Sequence, residues 1–429
     1  MNPLLSLIDT TIQKSLRSIN TSQFERFHTY AKKVRSIDWA DPGYTRIPLI
    51  LEGISAAANL RGHLLLPKLQ KITWRSIRWC SLINIQHLLL SNPRHVTLIC
   101  DYNKKFIHFA SDEEKDSFLA IMETIASTSN LSTLSLEGLC LLDGAMAAEV
   151  LETLCHPCST IQKLSIDYPR TTFHPLILGQ MPKLSTLEIS LDTKLKVHCS
   201  SNHLDIKEEK EPFKSLSSLF VHRSSIEPTD YLLGLIRSEN MHSVRILLED
   251  ASPSGLSTLL PHAYKWSKLK SLDIMQACQT PLFWPMSIIR PLYDSCPVME
   301  ELQVSGHVVD MVDEDVVAIA RSWSHLRVLR LSEKARRSSL AKYPPKFTLY
   351  GLQALLNGCR TLSDLFLFMD TSTIPDTAGL QRRAGSSGTT IGISRGPNVL
   401  GLNPERWKAY LREMEEQNYH IDAAFLFEL

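Results

Sequence analysis

The sequence predicts an α/β solenoid in which a strand and a helix alternate along most of the chain. A hexad recurs about twelve times, with an apolar residue, two variable residues, a second apolar residue, one variable residue and a third apolar residue. The middle apolar residues of successive hexads lie on average roughly thirty residues apart, enough for one strand and one helix per repeat. Between the hexads, apolar residues recur with helical spacing. Together these observations predict stacked strand and helix repeats.

The hexads have the spacing of the strand core in a leucine-rich repeat. The strict copies begin at Leu131, Ile161, Leu184, Leu216, Leu269, Leu326 and Leu362, and looser copies lie around Val34, Leu69, Val96, Val244 and Met299. In a parallel solenoid each strand is followed by a helix on the outer surface, and neither element buries its apolar face without neighbouring repeats. We therefore expect a leucine-rich-repeat solenoid, a horseshoe of about twelve irregular repeats with a parallel concave sheet, outer helices and a C-terminal capping helix.

Start signals and apolar periodicity place the helices between the hexads. Ser111 and Glu114 form a capping box that opens one of them. The predicted helices cover residues 47–60, 83–90, 111–125, 143–154, 229–236, 252–266, 285–293, 312–323 and 348–356.

The chain divides into four parts at the level of sequence. Residues 1–33 are expected to be an N-terminal helical cap, 34–370 the leucine-rich-repeat domain, 371–402 a flexible Gly/Ser-rich excursion, and 403–429 a C-terminal capping helix. Asn403 and Pro404 suit the first positions of that helix. Its apolar stripe of Trp407, Tyr410, Leu411 and Met414 is more typical of a cap than of a partner-docking site. Within the repeats, the charged insertion Thr193–Pro212 predicts a solvated loop.

Composition limits the classes of partner. The chain has 46 Lys and Arg against 45 Asp and Glu, a net charge of +1, which does not favour nucleic acid. The N-terminal sequence lacks a basic lead, and no apolar stretch approaches a membrane span, so we expect neither secretion nor insertion. The 9 cysteines are scattered and suggest reduced core thiols. These features predict a monomer in the cytoplasm or nucleus, without a cofactor.

Two motifs suggest chemistry, but their contexts argue against it. Gly392-Ile-Ser394-Arg-Gly396 matches the nucleophile elbow of hydrolases, yet Pro397 follows where a helix should begin, and His420 and Asp422 come in the reverse of the usual order. Cys155 and Cys158 have the spacing of half a zinc site, and the chain has no second such pair. We therefore predict no enzyme activity and no metal site.

The N-terminal region resembles a known family. Phe24-Glu-Arg-Phe27-x-x-Tyr30-Ala-x-x-Val34-Arg-Ser-Ile37, followed by Leu66-Pro-x-Leu69-x-x-Ile72-x-Trp74, is similar to the segment just after the F-box in F-box/leucine-rich-repeat proteins of mushroom-forming fungi. In that family the F-box docks the Skp adaptor of a cullin-RING ubiquitin ligase, and the repeats receive the substrate. The resemblance implies a substrate-recognition subunit of an SCF-type ligase.

The chain departs from this family where the adaptor would bind. An F-box would open with a Leu-Pro-x-Glu helix and two further apolar helices, and residues 1–33 contain no such series. We therefore expect the chain to bind the Skp adaptor and cullin only if a degenerate adaptor contact survives. No adaptor-binding residue of the family can be assigned to a position in this sequence. The alternative is a leucine-rich-repeat scaffold with no link to ubiquitin.

The side chains that alternate with the buried hexad positions should line the concave face, where a protein substrate or ligand would bind. They are small and polar in the first half of the chain and larger from Phe220 onward. Aromatic residues, Met and Arg are enriched at binding hot spots. The predicted partner-binding residues are Phe220, His222, Arg245, Asp273, Met275, Gln303, Arg330, Phe366 and Phe368. A competing interpretation places Phe366 and Phe368 beneath the 376–401 excursion as ordinary core.

Overall fold

The structure of the 429-residue chain is a computed structural model. It describes residues 21–40, 54–56, 58–76, 82, 85–100, 112–138, 144–155, 160–167, 175–191, 211–249, 255–276, 282–305, 307–333, 346–370, 373–374, 389–395, 404–416 and 419–421. The chain forms two compact units. Unit 1 comprises Met1–Leu216 with Leu235–Arg237, and unit 2 comprises Ser217–Gly234 with Ser238–Leu429.

The described residues of unit 1 form six parallel strands with helices in the connections between them. Its elements are α1 (Thr21–Ala31), β1 (Ser36–Ala40), β2 (Lys71–Ser76), α2 (Gln86–Leu89), β3 (His95–Cys100), α3 (Asp112–Ala126), β4 (Thr133–Glu137), α4 (Gly144–Leu154), β5 (Lys163–Asp167), α5 (Pro175–Gly179) and β6 (Thr186–Ser190). Each strand from β1 to β6 pairs with the next one in the chain. Parallel neighbours need such crossovers, because a tight hairpin joins only antiparallel strands.

Unit 2 repeats the same plan and adds a small second sheet. Its elements are β7 (Ser218–Ser224), α6 (Ile226–Leu235), β8 (Ser243–Leu248), α7 (Gly255–Ala263), β9 (Ser271–Gln276), β10 (Leu282–Pro285), a 3₁₀ turn (Met286–Ile288), α8 (Pro291–Ser295), β11 (Glu301–Ser305), β12 (His307–Asp310), α9 (Asp313–Ser322), β13 (Val328–Glu333), α10 (Leu349–Gly358), β14 (Asp364–Met369), β15 (Thr389–Arg395), α11 (Pro404–Glu416) and β16 (Tyr419–Ile421). The main sheet has the parallel order β7, β8, β9, β11, β13, β14, β15, β16. Strands β10 and β12 pair with each other.

The hexads form the buried face of both sheets. Every apolar residue of the strict hexads is at most 3% exposed, and the middle residue of each predicted hexad, strict or loose, lies in a strand. Burying a leucine side chain contributes about 1.5–3 kcal/mol relative to leaving it exposed, so this stack supplies a large share of the folding energy. The predicted α/β leucine-rich-repeat solenoid is confirmed.

A tight turn sets the position at which each strand begins. The Leu269 amide donates to the Trp266 carbonyl at 3.0 Å, and the Leu326 amide donates to the Trp323 carbonyl at the same distance. Just ahead of β2, the amides of Gln70 and Lys71 both donate to the Arg35 carbonyl of the preceding repeat, at 2.7 and 3.0 Å. The same shared acceptor recurs at later strands, so the strands within a unit begin level with one another.

The prediction of one helix over 285–293 is wrong. Residues Leu282–Pro285 form β10, a 3₁₀ turn follows, and α8 begins only at Pro291. Proline lacks the amide donor that a helix interior needs, and it is favoured at the first helical position, so Pro285 and Pro291 divide the segment. Helix α5 and the β10–β12 pair were not predicted, because each has only four or five residues.

The expectation that residues 371–402 lie wholly outside the repeat also requires correction. Residues Thr389–Arg395 form β15, which pairs in parallel with β14. The final helix α11 begins at Pro404, and both Tyr410 and Met414 of its predicted stripe are buried. Strand β16 follows this helix and pairs with β15, so α11 is the connection between two strands.

Near the N-terminus, helix α1 lies just before the first repeat. Phe24 and Phe27 on this helix are buried. The other predictions for the N-terminal cap fall on residues 1–20, outside the described residues. The same holds for the start of the helix predicted at 47–60 and for most of the Thr193–Pro212 insertion.

Four cysteines in the described part of the chain are free thiols and are buried. Cys100 and Cys155 belong to unit 1, and Cys296 and Cys359 belong to unit 2. The Cys296 thiol donates to the carbonyls of Ala263 and Trp266, at 3.5 and 3.7 Å. Burial raises the pKa of the thiols of both Cys155 and Cys296 to about 12. These thiols are therefore protonated at neutral pH.

Candidate functional site

Six of the predicted partner-binding residues form one row across the outward face of unit 2. Strand pairing places them side by side on adjacent strands: Phe220, Arg245, Asp273, Gln303, Arg330 and Phe366. They alternate with buried hexad residues, so their side chains stand on the face opposite the helices. We call this set the central row of unit 2.

One end of the central row of unit 2 is a contact cluster on three strands. The guanidinium of Arg245 lies 4.9 Å from the centre of the Phe220 ring, a cation–π distance. The rings of Phe220 and His222 meet edge to face, with centroids 3.8 Å apart. Arg245 Nε donates to Asp273 Oδ2 at 2.9 Å, and Met275 Sδ lies 4.0 Å from Arg245 Nη2. The predicted residues Phe220, His222, Arg245, Asp273 and Met275 are therefore brought together.

Asp273 differs from the expectation for a residue that lines an open face, because it is only 8% exposed. It lies on a central strand between two longer side chains, Arg245 on β8 and Gln303 on β11. Its carboxylate is engaged by Arg245, whose side chain is 45% exposed. The accessible group is thus the arginine, and the aspartate fixes the arginine's orientation.

The other arginine of the row is held in the same manner. Both Nε and Nη2 of Arg330 donate to Asp364 Oδ2 on the neighbouring strand. About a third of each side chain is exposed. A guanidinium has five N–H donors in a rigid fork, so an arginine oriented by one carboxylate keeps donors for another acceptor. The pairing with Asp364 was not predicted, because it depends on the diagonal reach of Arg330 across the register.

Acidic side chains mark the beginning of β11. The Ser271 hydroxyl donates to Glu301 Oε2 at 3.1 Å, and Lys270 Nζ donates to Glu300 Oε1 at 2.7 Å. The hydrogen bond from Lys270 holds the pKa of Glu300 below its usual value. Glu300 is therefore ionised at neutral pH, and the Lys270 charge is paired.

Strand β7 ends irregularly beside the cluster. The register with β8 shifts between Val221 and Ser224, and Arg223 has a φ of +47°. A positive φ is uncommon for a residue other than glycine, and such positions are found near binding sites more often than elsewhere. Sequence reasoning missed this bulge, since no glycine or proline marks it.

The two phenylalanines of β14 are only partly described. Phe366 is half-buried, whereas the side chain of Phe368 lies outside the described residues. Strand β15 pairs with β14, placing Gly392 opposite Phe366 and Ser394 opposite Phe368. Strand β15 therefore runs beside β14 in the plane of the sheet.

The structure describes the serine of one chemical motif and the first cysteine of the other. Ser394 lies within strand β15, whereas a nucleophile elbow places its serine at the turn between a strand and a helix. Cys155 follows helix α4 directly, and Cys158 lies outside the described residues. Among the described residues, no group of three or more His, Cys, Asp or Glu side chains is placed to hold a metal ion. No helix in this part of the chain has the length and apolarity to cross a bilayer.

Comparisons with known proteins find only distant structural matches. A scan against protein-family models finds no match, and a search of curated proteins finds none. Among solved structures, a leucine-rich-repeat protein from Leptospira interrogans is 14% identical over 94% of this chain and 98% of its own, with a TM-score of 0.32. A chain of the yeast Rad7 and Elc1 complex is 14% identical over 99% of both chains, with a TM-score of 0.36. Because these scores are low, the fold assignment rests on the hexads and strands of the chain itself.

Proposed function

We propose that the chain is a protein-binding leucine-rich-repeat module whose partner contacts the outward face of unit 2. The observation that carries this proposal is the central row of unit 2 with its adjoining cluster. It combines a half-buried aromatic ring with two arginines, each oriented by an aspartate.

The physical reason is the low cost of ordering such a surface. Flexible arginine side chains lose rotamer freedom on binding, which costs about 0.5–1.5 kcal/mol for each immobilised side chain. Arg245 and Arg330 are already held by Asp273 and Asp364, so part of that cost is met during folding. A partner then meets preoriented donors beside an aromatic ring, and arginine is among the residue types enriched in hot spots.

The contacts proposed on this face are Phe220, His222, Arg245, Met275, Gln303, Arg330, Phe366 and Phe368. Asp273 is proposed to act through Arg245, because it is itself nearly inaccessible. Phe220 and Arg245 should contribute most, since they contact each other at the accessible end of the cluster.

A matched pair of double variants tests this proposal. The Phe220→Ala, Arg330→Ala variant should capture about tenfold less of each partner that the unaltered chain captures from a cell lysate. The control is Thr97→Ala, Ser165→Ala, two outward positions on unit 1 strands, which should capture the same partners in the same amounts. Circular dichroism must show that both variants are folded. Equal capture by the two variants would refute a binding role for the row.

We propose more specifically that the module acts in substrate recognition for an SCF-type ubiquitin ligase. This part rests on the resemblance of residues 24–37 and 66–74 to the segment after the F-box in the fungal F-box/leucine-rich-repeat family. Phe24, Phe27 and Trp74 of that segment are buried, so they support packing of the first repeat and do not contact an adaptor.

Quantitative mass spectrometry of captured proteins separates the ligase role from the scaffold alternative. Recovery of the Skp adaptor and cullin, lost when residues 1–20 are removed and unchanged in the Phe220→Ala, Arg330→Ala variant, would support the ligase role. Removing only residues 1–20 leaves helix α1 in place. Capture of other partners without adaptor or cullin would favour a scaffold with no ubiquitin link.

A further inference from the structure

Unit 1 carries a basic edge that the proposed function does not use. It consists of the residues just before each strand from β1 to β6 and the first residue of each strand, in the windows 31–36, 66–71, 90–95, 128–133, 160–163 and 181–186. Its basic residues are Lys32, Lys33, Arg35, Lys68, Lys71, Arg94, Lys163 and Lys183, and these windows contain no Asp or Glu. We call this the strand-start edge of unit 1.

The backbone brings these windows together. The amides of Gln70 and Lys71 donate to the Arg35 carbonyl, and the amides of Arg94 and His95 donate to the Gln70 carbonyl. The same pattern continues to β6, where two amides donate to the carbonyl of Gln162. Adjacent strands lie about 4.8 Å apart, so six strands extend over about 24 Å.

The basic side chains on this edge are accessible. All eight are exposed. Lys163 is 3.8 Å from Glu188 Oε2, which is a weak exposed pair. Within the described residues, Lys71, Arg94 and Lys183 form no ion pair. Lys71 and Arg94 lie at the starts of neighbouring strands about 4.8 Å apart, a spacing shorter than the Debye length of about 10 Å at 0.1 M salt, so their potentials reinforce one another.

The corresponding edge of unit 2 shows that the repeat itself does not require this charge. The matching windows before β8, β9, β11, β13 and β14 contain Lys268, Lys270, Arg327 and Arg360 together with Glu239, Glu300, Glu301 and Asp364. Positive and negative residues are mixed there, and Lys270 is paired with Glu300. A uniformly basic edge is thus particular to unit 1.

We propose that the strand-start edge of unit 1 binds an extended acidic segment of a protein partner. An extended peptide rises about 3.3 Å per residue, so about seven residues would follow the 24 Å edge. Carboxylates along the peptide would pair with Arg35, Lys71, Arg94 and Lys163, and the hydroxyls of Ser132 and Thr133 would lie between them. The windows contain no Phe, Tyr or Trp, the side chains on which single-stranded nucleic acids stack, which favours a polypeptide.

Fluorescence anisotropy with a labelled peptide of about ten glutamates, run beside a matched glutamine peptide, tests this proposal on the full chain. The glutamate peptide should bind selectively and weaken as salt rises from about 50 to about 200 mM. The Lys71→Glu, Arg94→Glu, Lys163→Glu variant should bind it at least about tenfold more weakly, since three attractive charges become repulsive. Lys268→Glu, Arg327→Glu, Arg360→Glu makes the same charge change on unit 2 and should alter affinity less than about twofold.

Three results would overturn the proposal. They are equal binding of the glutamate and glutamine peptides, equal losses in the two triple variants, and tighter binding of a ten-nucleotide oligothymidine than of the glutamate peptide. The last would assign the edge to nucleic acid. If the charge-reversed variant is not folded by circular dichroism, Lys71→Gln, Arg94→Gln, Lys163→Gln replaces it, with an expected loss of at least about threefold.

Discussion

The two units present very different side chains on the same backbone plan. In unit 1 the residues aligned across the outward face are Asp38, Thr73, Thr97, Ser135, Ser165 and Glu188, which we call the central row of unit 1. In unit 2 the corresponding positions carry aromatic rings, arginines, an aspartate and a glutamine. The buried hexads beneath both rows are alike. Packing therefore constrains one face of each strand and leaves the other free to define recognition.

The polar contacts of the two rows differ as well. In unit 1 the Arg75–Asp38 pair is 3.9 Å long, and both side chains are at least half exposed. In unit 2 the Arg245–Asp273 pair is 2.9 Å long, and the aspartate is nearly buried. Exposed pairs contribute about 0–1 kcal/mol, whereas removing one partner of a buried charge is more costly. The ion pair of the unit 2 row is thus shorter and less exposed than the Arg75–Asp38 pair of the unit 1 row.

The largest expected effect concerns the face that the units share. Leu134→Ala in unit 1 and Leu329→Ala in unit 2 each remove a fully buried side chain and should lower the free energy of unfolding by about 2–5 kcal/mol. Urea denaturation measures both. The outward neighbour Gln303→Ala serves as the control and should cost less than about 0.5 kcal/mol. A loss below about 1 kcal/mol for either leucine would contradict the equivalence of the two buried faces.

The next largest effect on the free energy of unfolding should distinguish the Arg245–Asp273 pair from the Arg75–Asp38 pair. Arg245→Ala leaves the nearly buried Asp273 without its guanidinium and should cost about 1–3 kcal/mol, whereas Arg75→Ala should cost less than about 0.5 kcal/mol. Both values come from urea denaturation at neutral pH. Asp273→Asn combined with Arg245→Ala should recover part of the loss, because the uncompensated charge is removed. Equal costs for the two arginines would remove the distinction between the rows.

The smallest effect is expected in the central row of unit 1. Ser135→Ala removes a partly exposed hydroxyl and should change the free energy of unfolding by no more than about 0.5 kcal/mol. It should also leave partner capture unchanged, in contrast to Phe220→Ala. Thermal denaturation and the capture assay together check both points. Loss of partners in Ser135→Ala would extend the binding surface to unit 1.

The strands were predictable because burial imposes a period on the sequence. Each hexad places two apolar residues on one side of a strand, and these side chains are the core of the structure. The outward positions follow from the same alternation, which is why Phe220 and Arg245 could be assigned to one face. Their direct contact required the register between β7 and β8, and register is not visible in a single strand.

Other features left weaker signals. Strand β15 contains Ile391-x-Ile393, which matches the last two apolar positions of a hexad, but its glycine-rich surroundings indicated a loop. The burial of Asp273 depends on the length of the side chains beside it on the neighbouring strands. The bulge at Arg223 is not indicated by a glycine in the sequence. Such features arise from contacts between repeats, which a local pattern does not contain.

Each unit contains a buried thiol whose alkylation would report local unfolding of that unit. Because only the thiolate is nucleophilic and the pKa values of Cys155 and Cys296 are about 12, an alkylating reagent reacts with these residues only after local unfolding. Cys155 lies in unit 1 and Cys296 in unit 2, so peptide-resolved labelling rates would time the two openings separately in one sample. Labelling of these native cysteines would therefore show, without an engineered probe, whether unit 1 and unit 2 unfold together or one after the other.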